Sequence, residues 1–119
     1  MTGPRQERGN VSLWMLAVVV LGLTLAVGAS RLGAAVVAQA RADTAADAAA
    51  LAAADMLALG RGAGAARAAA HQTARANGAT LERCDCEGIQ ADVEVRLPAT
   101  GLLGAAAVGH ARAEVGLTE

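Results

Sequence analysis

The chain has no Phe and no Tyr, and its single Trp is Trp14. A protein so poor in aromatics lacks the large side chains that dominate ordinary soluble cores. Lys is also absent, so all ten basic residues are Arg. They are set against eleven acids, for a net charge of −1. No basic patch is available to displace counterions from phosphates, which excludes nucleic acid as a partner. The two His, His71 and His110, stand far apart and form neither a metal-ligand cluster nor a general-base arrangement. Pro is confined to Pro4 and Pro98, leaving a long stretch between them with no helix breaker of that kind.

That stretch opens with what the chain has in abundance. Val11 to Ala29 reads VSLWMLAVVVLGLTLAVGA, without a charge between Arg8 and Arg31. A hydrocarbon core of about 30 Å requires roughly 20 apolar residues at about 1.5 Å each. The run contains five Leu and five Val. At about −0.3 to −0.6 kcal/mol apiece they sum to roughly −3 to −6 kcal/mol in favour of insertion. The run is therefore expected to be a membrane-crossing helix, with membrane lipid as its first partner.

Residues 1–10 form a short polar tail, 11–30 the transmembrane helix, 31–59 its extramembrane continuation and 60–119 a small α+β head. Arg5 and Arg8 before the span favour a cytoplasmic amino terminus. Arg31 and Arg41 follow at similar density, and the terminal amine tips the balance toward N-in, C-out. This gives a single-pass protein of the cell membrane with an extracytoplasmic head. An alternative is a cleaved secretory signal, with Ala26-Val27-Gly28 preceding a cut near Ala29, which releases a secreted or surface-anchored small binding domain.

Beyond Ala29 the sequence runs on in Ala-rich fashion to Leu59 with nothing to end a helix before Gly60, Gly62 and Gly64. Arg41, Asp43, Asp47 and Asp55 exclude a second span, since each costs about 2.5 to 3.5 kcal/mol near the bilayer centre. One helix from about Val11 to Leu59 is expected. Gly22 and Ala26, then Ala29 and Gly33, are small residues four apart that admit a neighbouring helix backbone. Gln39, Asp43 and Asp47 make a polar stripe, and Val36, Val37, Ala40, Thr44, Ala48 and Leu51 lie on another face. Too few oxygen ligands lie near the two Asp to hold a hard cation.

Gly60-Arg61-Gly62-Ala63-Gly64 lacks the preceding strand and the spacing of a phosphate loop, and reads as a hinge. A second helix is expected over Ala65–Asn77, closed by Gly78, with Arg67, His71 and Arg75 in one polar row. The period then changes from helical to alternating. Ile89, Ala91, Val93, Val95 and Leu97 interleave with polar residues up to Pro98, and Ala111, Ala113, Val115 and Leu117 do the same. Two antiparallel strands joined by the apolar loop 98–109 are expected. Thr80–Cys84 is a possible third strand before a turn over Asp85–Gly88, with the apolar face of the sheet lying on the second helix.

Cys84-Asp85-Cys86 is the one reactive-looking feature. Two Cys separated by one residue can close a tight ring, bond to a partner chain or remain reduced. A thiol-redox catalyst normally separates them by two residues at a helix start, which this motif does not. No nucleophile with a placed base, carboxylate pair or cofactor loop can be assembled, so no enzyme and no cofactor are expected.

Arg8-Gly9-Asn10-Val11-Ser12 leading into the apolar run, followed by Arg41-Ala42-Asp43-Thr44-Ala45-Ala46-Asp47-Ala48-Ala49-Ala50-Leu51-Ala52, resembles the TadE-like and TadG-like minor pseudopilins of tight-adherence (Flp) pilus systems. The layout is most similar to the short actinobacterial TadE-like proteins found beside a secretion ATPase and a helicase. The resemblance implies a membrane-anchored minor or accessory subunit of a type IV pilus-like assembly or secretion apparatus, without catalysis. It implies other pseudopilins and secretion-system membrane proteins as partners. It also implies prepilin-peptidase cleavage between Gly9 and Asn10. The chain departs from the pilin pattern at Trp14, where an acid is expected, and in the close spacing of Cys84 and Cys86.

Overall fold

A computed structural model of the chain describes residues 4–99, 104 and 106–116. Helix α1 covers Pro4–Ala58 and helix α2 Ala63–Ala76. Three strands follow: β1 (Thr80–Glu87), β2 (Gln90–Leu97) and β3 (Ala107–Glu114), in one antiparallel sheet of order β1-β2-β3. This is the expected α+β arrangement of a long apolar N-terminal helix, a short second helix and a small sheet. The chain divides into two units, one ending at Ala34 and one beginning at Ala35.

In the first unit every described side chain from Gly9 to Ala34 is exposed. Two of the three hydroxyls within or beside the apolar run, those of Thr24 and Ser30, are satisfied by the helix itself. Thr24 donates to the Val20 carbonyl at 2.8 Å and Ser30 to that of Val27 at 2.9 Å. Such back-bonding removes the cost of carrying a bare hydroxyl into an apolar medium.

The second unit has a core made largely of methyl groups. On α1, Ala42, Ala45, Ala46, Ala49, Ala50, Ala53 and Ala54 are buried, and on α2 Ala66, Ala70 and Ala74. Both rows follow the three- and four-residue spacing that puts side chains on one helix face. The sheet contributes Cys84, Cys86, Ala91, Val93 and Val95, with Val93 and Val95 the largest side chains fully enclosed. The sheet therefore lies over α1 as well as over the α2 partner that the alternation pattern names. The Val36, Val37, Ala40, Thr44 and Leu51 face of α1 remains exposed, and Ala48 is half-buried.

Glycines set both helix ends. Gly60 takes a left-handed φ of 68°, with its N–H donating to Leu57 and that of Arg61 to Met56. Gly78, at φ 73°, repeats the arrangement with Gly78 to Arg75 and Ala79 to Ala74. These paired bonds satisfy carbonyls that the last turn leaves open. The hinge expected over Gly60–Gly64 is thereby reduced to residues 59–62. Helix α2 begins at Ala63 and contains Gly64, in a first turn where a glycine interrupts no established run of helical bonds.

Three strand boundaries differ from the sequence pattern. Strand β1 continues through Asp85 and Cys86 to Glu87, so the expected Asp85–Gly88 turn shrinks to Gly88-Ile89. Its pairing skips between Leu81 and Arg83, a bulge that lets Leu81 and Cys84, three apart, both face the core. Gly88 has φ 62° whereas Ile89 has no positive φ, the pattern of a two-residue hairpin with Gly in first place. Strand β3 begins at Ala107, inside the stretch assigned above to a loop. It ends at Glu114, with the Val115 N–H still donating to the Ile89 carbonyl at 2.8 Å. Leu117 lies outside the described residues.

Gly109 lies in this early part of β3 and pairs with Val95. A Cβ built there falls on the backbone carbonyl of Ala42 and reaches 2.9 Å from the Asp43 nitrogen. The strand crosses α1 backbone against backbone, and only glycine permits that approach. Beside the crossing, the Gln39 amide donates to the Val108 carbonyl at 2.8 Å and to Asp43 at 3.0 Å.

Candidate functional site

The residues singled out from the sequence fall in three places. Gly9 and Asn10 lie within helix α1 and are exposed. Gly22, Ala26, Ala29 and Gly33 occupy one row of the same helix, also exposed, with open space where a Cβ at Gly22 or Gly33 would project. Around them Val11, Leu13, Leu16, Leu21, Leu23 and Leu25 are each more than 60% exposed, and Trp14 is 69% exposed. The helix that carries them is long and apolar enough to cross a membrane, and none of its apolar window is buried within the chain. Water penalises such a surface: at about 25 cal/mol per Å² of apolar area, each exposed Leu forfeits roughly 1.5 to 3 kcal/mol relative to a covered one. Bilayer or partner helices are the environments that remove the penalty.

Cys84 and Cys86 are joined by a disulfide, their Cα atoms 5.4 Å apart. Both side chains point into the core because alternation puts residues two apart on the same face of β1. Of the alternatives the motif leaves open, the structure has the internal bridge. An open depression of about 660 Å³ adjoins it, lined among others by Ala63, Gly64, Arg67 and Asp85. Its charged side chains are exposed apart from the half-buried Asp92, and among the described residues no buried ionisable group points into it. Among the described residues no group of three or more His, Cys, Asp or Glu is placed to hold a metal ion.

The solvent face of the sheet sets opposite charges side by side, across neighbouring strands and, for Arg83 and Asp85, along β1. Arg112 donates to Asp92 at 2.8 Å, Arg96 lies 3.2 Å from Glu82, and Arg83 lies between Asp85 and Glu94. The hydrogen bond with Asp92, and then that carboxylate's charge, raise the Arg112 guanidinium above its already high ordinary value. The Arg side chains of these pairs are solvent-exposed, Asp92 and Glu94 are half-buried, and each pair adds little to stability. His110 approaches Glu94 at 3.6 Å on this face, and His71 is exposed on α2, so the two imidazoles stay apart.

Sequence pattern alone did not single out Gly109 or the Ala42–Ala54 row. The latter does carry a signal in its three- and four-residue spacing, but in a run where most residues are Ala every face shows that spacing. No family model matches the chain, and no curated protein or solved structure does so either.

Proposed function

We propose that the chain is a membrane-anchored minor pseudopilin or accessory subunit of a type IV (Flp/Tad) pilus-like assembly or secretion apparatus. Its amino terminus is cytoplasmic, its α+β unit is extracytoplasmic, and it works by helix packing and without catalysis. The observation that carries this reading is the uncovered apolar surface of α1 from Val11 to Ala29, interrupted only by Ser12, Thr24 and small residues. The TadE-like motif residues around Gly9-Asn10 and Arg41–Ala52 supply the assembly class. The bridged Cys84–Cys86 pair suits an oxidising compartment, which agrees with an extracytoplasmic head.

In the bilayer, apolar side chains gain nothing by turning from lipid to protein. Association there comes from close packing, which small residues permit. Gly22, Ala26, Ala29 and Gly33 are the row on which sibling subunits would pack. Substituting Leu for both Gly22 and Ala26 is expected to abolish co-purification with sibling membrane subunits from detergent extracts while leaving the chain in the membrane fraction. Unchanged complexes would count against the packing role. Mass measurement of the mature amino terminus separates the competing reading: a chain that is intact or begins at Asn10 fits the subunit, and one beginning at Ala29 fits a released binding domain.

A further inference from the structure

Charge is distributed unevenly within the unit that begins at Ala35. On the sheet, Arg83, Arg96, Arg112 and His110 each lie within 4 Å of a carboxylate. On the helices the opposite holds. Among the described residues, Asp43, Asp47 and Asp55 of α1 and Arg67, His71 and Arg75 of α2 form no ion pair, and all six are exposed. No acid occurs between Asp55 and Glu82, so α2 is purely basic.

The two helices present these charges at the same pitch. Asp47, Leu51 and Asp55 follow one another every fourth residue along α1, as do Arg67, His71 and Arg75 along α2. Each step is about 6 Å along the axis, so each row places two like charges about 12 Å apart around a central residue. Leu51, the central residue of the acidic row, is 61% exposed on the uncovered face of α1 that also holds Thr44 and Val37. The basic row is bordered by Gly64 and Ala68, both exposed and too small to hold another helix away.

We propose that these two faces bind each other between copies of this chain, with the Asp47–Leu51–Asp55 face of one copy on the Arg67–His71–Arg75 face of the next. The chain has an unmet acidic row and an unmet basic row of equal spacing, and a second copy supplies the complement of both. Because the two surfaces differ, the contact is heterologous, and each copy keeps a free face of either kind for further growth into a ring or an open row. Opposed rows of unlike charge select this register against like-with-like contacts. The inference goes beyond the anchor reading and does not require it, since neither face includes a residue before Ala35.

The test uses the full chain purified in detergent micelles, with self-association followed by sedimentation and lysine-independent cross-linking at about 50 mM and 500 mM salt. Wild type is expected to self-associate at low salt and to weaken at least about tenfold at high salt. The pair Asp47→Arg and Asp55→Arg, or the pair Arg67→Asp and Arg75→Asp, should each abolish association at low salt. Mixing the two variants should restore it as a mixed complex, and a chain carrying all four changes should regain it alone. All four positions are exposed, so helical content by circular dichroism should be unchanged. A monomeric wild type, reversals without effect, or failure of the mixed and four-fold variants to recover would each overturn the proposal. Membrane sedimentation of the same variants reads the anchor separately, and is expected to be unaltered.

Discussion

Replacing both Val18 and Leu21 with Arg should move the chain out of the membrane fraction. Each change exchanges a contribution of about −0.3 to −0.6 kcal/mol for one of about +2.5 to +3.5 kcal/mol near the middle of the span, a swing of about 6 to 8 kcal/mol for the pair. The ten Leu and Val of Val11–Ala29 supply roughly −3 to −6 kcal/mol, so the sign of insertion reverses. Arg is a good helix former, and both positions are exposed, so the substitution acts on the medium around the helix and not on its formation. Alkaline extraction of membranes is the measurement. Wild type should remain in the pellet and the double variant in the supernatant. Pelleting of both in equal measure would contradict the insertion account.

The second large effect concerns the unit that begins at Ala35. Gly109→Val would set a branched side chain on the Ala42 carbonyl, and the obstacle is backbone at the middle of a packed helix. Overpacking of ordinary cores costs about 1 to 3 kcal/mol, and here the neighbour cannot rotate aside, so a loss of at least about 3 kcal/mol is expected. For a unit of this size that lowers Tm by about 12 °C or more. Gly116→Val is the control, because nothing lies within 4 Å of a Cβ there, and it should change stability by less than about 0.5 kcal/mol. The unit contains no aromatic side chain, so amide hydrogen exchange of Val93 and Val95 is a better probe than near-ultraviolet signals. Equal protection in Gly109→Val and wild type would contradict the crossing geometry.

The parts of this fold that depend on neighbouring residues alone are visible in the sequence, and those set by distant contacts are not. The apolar run, the left-handed glycines at Gly60 and Gly78 and the inward set Ala91, Val93, Val95 are legible because each rests on local physics: length against bilayer thickness, a φ that glycine adopts freely, a strict two-residue period. The extent of β1 was less so. Its bulge near Glu82 breaks the alternation, and the inward direction of Cys84 and Cys86 is what continues the strand to Glu87. Least legible was the Ala42–Ala54 row. Which face of an alanine helix is covered depends on where β3 can cross it, and that is decided by Gly109, more than fifty residues away, through a backbone contact that leaves no periodic trace.

The small-residue row and the charge rows are displayed by the sequence, and their residues are exposed in the structure. Asp43 and Asp47 read as a solvated face in isolation. Beside a sheet whose cations are paired and a second helix whose cations are not, Asp47 and Asp55 supply the acidic half of the proposed contact between copies.

Trp14 reports on whether α1 enters the bilayer, because it is the sole Trp and sits three residues into the apolar run. With the full chain reconstituted in phosphatidylcholine vesicles, its fluorescence can be quenched by lipids brominated at different depths along the acyl chain. An indole near the start of a span belongs at the headgroup boundary. Blue-shifted emission is expected, quenched most by bromines close to the headgroups and progressively less by those toward the bilayer centre. Water-like emission indifferent to bromine at every depth would show that α1 does not enter the bilayer.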